Sequence, residues 1–334
     1  MTNIEGRRYT VDVPGIPVGQ QSLAKQDLGR LIDAVAAVAD AQGKQFLLQR
    51  ICVTDCFEEE VNRLLQEHSG LAEYDAVRRH VQAIGKTLWT RSQDGDLGFA
   101  VVIDANQMGS WGFNNPRCLT TVLHELSHVL YEERHLRRLG EEEYVAASDT
   151  RERLLDGWAR LLIDEFDVDR LVDVFLRRLS TNDEGRPWSL HELEEAQGVD
   201  WVRELRNELH QMPHFLEEKV WEFQTRQIGI DDFARVVLPG IKDILVVLSH
   251  TASMYMGTER WLDIIKDIKE TEASERFLAE HLDTLLGQFG DPELPLEKSV
   301  QVVSHAIEGI FRNCGLGFQT IPEGVYISVE APSR

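Results

Sequence analysis

The chain has 334 residues, 43% of them apolar and 28% charged, so it is long enough for two globular domains, each with its own core. Its net charge of −22 repels nucleic acid phosphates and anionic membranes, and the basic residues form only short runs such as Arg137-Arg138 and Arg177-Arg178. These features predict neither direct nucleic acid binding nor a membrane role.

Residues 1–20 contain Pro14, Gly15, Pro17 and Gly19 and read as an extended arm, with no basic segment followed by an apolar core of the signal-peptide kind. A helix is predicted over 21–42, ended by Gly43, and a strand over 45–54. Helices over 58–67 and 74–84 and a short strand over 86–91 follow. The strongest strand is 98–104, Gly-Phe-Ala-Val-Val-Ile-Asp. The cysteines, Cys52, Cys56, Cys118 and Cys314, form no paired C-x-x-C sets. They read as reduced thiols of a cytoplasmic protein, and Cys118 as a buried structural thiol rather than a metal switch.

The next segment organises the rest. Asn114-Asn115-Pro116 is a helix start, and Arg137-Arg138-Leu139-Gly140 is a helix end, with bases at the negative pole and glycine beyond it. Between them lies His124-Glu125-Leu126-Ser127-His128. On a helix the two histidines are four residues apart and leave the same face, together with Tyr131 and His135. Two neutral imidazoles from one rigid element are good Zn²⁺ ligands, and Glu125 can take a proton from water activated by the metal. A third ligand is needed. Ser148-Asp149 opens another helical pattern, in which Glu152 and Asp156 share a face. Glu152 is read as the third ligand and Asp156 as the carboxylate that holds a ligating imidazole, against the alternative of a solvated acidic face.

These residues resemble a known family. HELSH followed by ERLLDGWARLL is similar to the gluzincin arrangement, H-E-x-x-H and then E-x-x-x-D. More narrowly it resembles the ImmA/IrrE-type intracellular metallopeptidases, whose second helix carries a glutamate, an Asn or Asp, an aromatic and paired leucines. Glu152, Asp156, Trp158, Ala159, Leu161 and Leu162 match that pattern, and the likeness covers about residues 97–165. It implies Zn²⁺ held by His124, His128 and Glu152, with Glu125 as general base. In such folds an edge strand over the motif helix pairs with extended substrate, a role open to strand 98–104.

Downstream, 168–179 is predicted helical and 181–187 is the linker candidate. The chain is then mostly helical, over 189–210, 213–226, 231–255, 258–270, 272–288 and 295–313, and closes with a hairpin of strands 318–321 and 325–329. His250 and His305 lie on apolar faces and read as core. Tyr131, His135, Tyr144, His210 and His214 are candidates to stabilise an oxyanion.

The expected architecture is α+β: a zincin-like domain over 1–182, with a small sheet and the H-E-x-x-H helix, followed by a mainly helical domain over 183–334. The expected function is a cytoplasmic zinc-dependent endopeptidase that acts on a protein or peptide. Its rivals are a regulatory sensor that keeps the metal site but works by binding a partner, and a structural protein whose histidine pair is incidental.

Overall fold

The computed structural model describes residues 2–4, 7–41, 43, 45–68, 84–92, 94–108, 111–112, 115–140, 150–179, 185–289, 296–322 and 324–329. The protein is α+β and divides into two compact units, each made of two stretches of chain. The first is Met1–Ala146 with Leu171–Gln197, and the second is Ala147–Arg170 with Gly198–Arg334. The boundary expected at 182/183 therefore falls inside a stretch that belongs to the first unit.

The first unit is built on a five-stranded mixed sheet. Its strands are β1 (Thr2–Ile4), β2 (Arg7–Asp12), β3 (Leu48–Thr54), β4 (Gly85–Arg91) and β5 (Leu97–Asp104), in the spatial order β1-β2-β3-β5-β4. The N-terminal arm thus supplies two strands. β2, β3 and β5 run parallel, joined by α1 (Gln21–Ala41) and α2 (Phe57–His68), while β4 is antiparallel to β5. The helix expected over 74–84 lies outside the described residues apart from Ile84.

β5 is not an edge. The run Phe99-Ala100-Val101-Val102-Ile103 is buried throughout, between β3 and β4. An uninterrupted apolar strand is one covered on both faces, and covered strands sit in the middle of sheets. Here Ala100 and Val102 pack on Phe57, Val61 and Leu64 of α2, and the alternate residues face the other side. The edge is β4, whose Lys-Thr-Leu-Trp-Thr-Arg run mixes polar and apolar residues.

A short helix, α3 (Ala105–Met108), leads from β5 towards α4 (Pro116–Leu139), which packs against β4, β5 and α1. α4 has the expected ends. The Asn115 side chain accepts from the Arg117 N–H at 3.1 Å, Pro116 takes the first turn, and Gly140 stops the helix at φ 77°.

The chain then forms one long helix, α5 (Arg151–Leu179), where two were expected. Its early turns belong to the second unit and its last turns to the first. In the first unit, Asp173 accepts from the Leu190 N–H at 2.8 Å, fixing the start of α6 (Leu190–Ala196).

The second unit is helical, with α7 (Trp201–Gln224), α8 (Ile230–Tyr255), α9 (Glu259–Lys269), a π turn at Ser274–Leu278, α10 (Ala279–Gln288) and α11 (Leu296–Asn313). The hairpin β6 (Leu316–Ile321) and β7 (Gly324–Val329) closes it. α8 is long and apolar enough to cross a bilayer, but 67% of its most apolar window is buried within the protein. Trp158 of α5 stacks on Phe311 at 5.0 Å and meets Phe318 edge-on at 6.1 Å. Phe166 stacks on Phe289.

Candidate metal centre

The first unit brings three of the motif residues to one place under the edge strand. Because α4 is regular, His124 and His128 lie one turn apart on one face, and their Nε2 atoms stand 3.1 Å from each other. The rings meet at 82°, with centroids 4.7 Å apart. Both are half-buried. Two imidazole lone pairs do not converge in this way unless a proton or a cation lies between them. Two nitrogens bound at 2.0–2.1 Å in a tetrahedral zinc site stand about 3.3 Å apart, so the pair fits such an ion.

Glu125 is 7% exposed and pinned against β4. The Thr87 hydroxyl lies 2.8 Å from the Glu125 carboxylate and 2.9 Å from its backbone carbonyl, so its one proton is shared between them. Gly85 is packed so closely that a Cβ there would come within 2.5 Å of Glu125 Cγ. A carboxylate this constrained has one orientation, as a proton-transferring group requires.

Glu152 does not have the surroundings expected of a ligand. It lies in the second unit, in the first turn of α5, with its side chain 65% exposed. There it lies 3.5 Å from Arg151, and the Thr320 hydroxyl donates to it over 3.4 Å. Asp156 is half-buried on the same helix, and Trp158 is committed to the aromatic cluster described above. The solvated-face alternative describes Glu152.

The sequence reading missed a second acid pair of the same spacing on α5, Glu165 and Asp169. In the second unit their side chains are 15% and 5% exposed, and both face His250 of α8. His250 Nδ1 is 2.7 Å from Asp169 and its Nε2 is 3.7 Å from Glu165. Ser253 donates to Asp169 at 2.8 Å, and the His250 ring stacks on Trp201. His250 is therefore not an inert core residue but the link between the buried Asp169 and the half-buried Glu165. The pair was visible as E-x-x-x-D.

Of the candidate oxyanion donors, Tyr131 is half-buried on α4, whereas His210 and His214 are exposed on α7. Tyr144 and the side chain of His135 lie outside what is described. His305 is exposed, with its ring 2.6 Å from the Gln301 carbonyl, and does not join a core. Cys118 is fully buried, and burial pushes its thiol up to about 11, in keeping with a structural thiol. No protein-family model, no curated protein and no solved structure matches this chain.

Proposed function

We propose that the protein is a zinc-dependent peptidase of the cytoplasm that cleaves a protein or peptide. The observation that carries this reading is the convergence of the His124 and His128 Nε2 atoms at 3.1 Å, beside a buried and fixed Glu125. A bound Zn²⁺ would supply Lewis-acid polarisation of the scissile carbonyl and make water acidic enough to lose a proton near neutral pH. Glu125 takes that proton and then delivers it to the leaving amine. Thr87 holds the carboxylate during both transfers. β4, rather than β5, is the strand along which an extended substrate would lie.

The test is metal content followed by chemistry. The purified protein is expected to carry close to one Zn²⁺ per chain. His124→Ala should lower its affinity by at least tenfold, and Glu152→Gln should leave it unchanged. Glu125→Gln should retain the metal and abolish cleavage. Protein purified without chelators and found free of metal by elemental analysis would overturn the proposal. A cellular effect that survives Glu125→Gln would favour the partner-binding sensor.

A further inference from the structure

One stripe of α7 differs from the rest of that helix. Leu205, Leu209 and Leu216 are buried and turn one face inwards. On the outer side, Arg203, His210, His214 and Trp221 are all exposed. A helix turns about 100° per residue, so these four positions lie within about 40° of one another and form a single line. Among the described residues, none of the four side chains makes a hydrogen bond, an ion pair or a ring contact. The charges beside them are tied, Arg206 to Asp267, Glu217 to Arg276, and Lys219 to Glu218 and Glu222. Trp221 is 56% exposed, and a large indole held in water is a common anchor of an interface.

His210 and His214 are four residues apart, the spacing that on α4 sets two Nε2 atoms 3.1 Å from each other. Turned towards one point, they chelate a single ion and supply two of the four ligands of a closed tetrahedral Zn²⁺ site. Among the described residues neither belongs to a group of three or more ligands able to hold an ion, so the pair is half a site. The stripe supplies the other half by symmetry. Its spacings are 7, 4 and 7, which read the same from either end about Met212. Two copies of α7 laid antiparallel about a two-fold axis at Met212 bring His210 opposite the partner's His214. At both ends Arg203 meets the partner's Trp221. Two-fold pairing joins the same patch of each copy in this reciprocal way. Four imidazoles then surround one ion, and a guanidinium over each indole adds a cation–π contact. Two chains of net charge −22 repel each other, so the bound cation is what lets these faces approach.

We infer that His210 and His214 form a Zn²⁺ site shared between two copies of this chain, paired through antiparallel α7 helices. The inference does not depend on the peptidase reading, because His124 and His128 lie on another helix.

The experiment takes full-length protein stripped with a chelator, adds Zn²⁺ alone and follows the mass by sedimentation equilibrium. The mass should double from 38.1 kDa, with one ion bound per two chains beyond any held at His124 and His128, and should fall back when chelator is restored. His210→Ala and His214→Ala should each weaken zinc-dependent pairing about tenfold or more. Trp221→Ala should weaken it about tenfold and leave the melting temperature of the zinc-free monomer unchanged. His124→Ala should not alter pairing. A protein that stays monomeric at saturating Zn²⁺, or a dimer that survives chelation or His210→Ala, would overturn the inference. So would zinc-dependent association that is insensitive to both Trp221→Ala and Arg203→Ala, which would mean adventitious cross-linking by the metal.

Discussion

Gly85 has an ordinary negative φ, so glycine is required there by space and not by backbone conformation. The space is occupied by Glu125, whose Cγ and Oε1 would lie 2.5 and 2.6 Å from an added Cβ. Gly85→Ala must therefore displace the carboxylate from Thr87 or push β4 off α4. Overpacking of this kind costs about 1–3 kcal/mol. Chemical denaturation should show that loss in Gly85→Ala, and most of it should vanish when Glu125→Ala is added, since the obstructing side chain is then gone. Losses that simply add would mean that Gly85 and Glu125 do not touch. At this scale much was legible in the sequence. The spacing of His124 and His128 sufficed to place both rings together, because helical geometry leaves no freedom between positions four apart. Nothing in the motif indicated Gly85 or Thr87, which reach Glu125 from another element. Glu152 was read as the third ligand because it shares a helix face with Asp156, and only packing shows that its side chain stays in water.

At the scale of elements, runs of one character were read correctly and their neighbours were not. The apolar run of β5 announced a strand, but its place in the sheet depends on which strands flank it. The arm before residue 20 seemed too rich in Pro and Gly for a sheet, yet its first twelve residues carry two strands ahead of Pro14. α5 was read as two helices, the second beginning at Val168, and the acids Asp164, Glu165, Asp167 and Asp169 lie where they would have met. Asp164 and Asp169 are in fact buried, so that stretch faces partners rather than solvent. Polar ties also fix α2 to the sheet. Arg50 of β3 reaches Asp12 of β2 at 2.8 Å and Glu60 of α2 at 2.9 Å, and Arg63 closes on Glu60 at 2.7 Å. Hydrogen bonding from Arg63, aided by Arg50, holds the Glu60 carboxyl below the ordinary carboxylate range despite its partial burial. A depressed pKa in the folded state adds stability above the unfolded value, and that stability is lost as pH falls through the folded value. Glu60→Gln should therefore cost about 0.5–1 kcal/mol at pH 7, a modest figure because both arginines are partly exposed. The gap from wild type should close below about pH 4. Thermal melts across pH 3–8 test this, and a gap that widens towards acid would reverse the assignment.

On the scale of the whole molecule, the chain enters each unit twice. A linker was read between 181 and 187 from Thr-Asn-Asp-Glu-Gly-Arg-Pro, but linkers join elements as readily as domains. Residues beyond it still belong to the first unit, where α6 buries Leu190 and Leu193 and packs on α4. A fragment of residues 1–182 lacks α6 and leaves that side of α4 uncovered. It should melt without a cooperative transition, whereas Met1–Ala146 joined through a short flexible link to Leu171–Gln197 should melt cooperatively by circular dichroism. Equal cooperativity in the two would show that α6 is dispensable and that the sequence-based boundary is adequate.

The divided path of α5 also sets an order of events during synthesis. The first unit cannot close until residue 197 has left the ribosome, and the turns of α5 before Arg170 must wait longer. Phe166 finds its stacking partner only with Phe289, and Trp158 only with Phe311. At about 5–20 residues per second, Trp158 is without its partner for about 8–30 seconds. During that interval the nascent chain displays an aromatic and leucine-rich helix without its partners, which is the surface that a ribosome-associated chaperone holds. Yield in cells should therefore respond to translation speed between codons 170 and 311 more sharply than to speed anywhere earlier in the message.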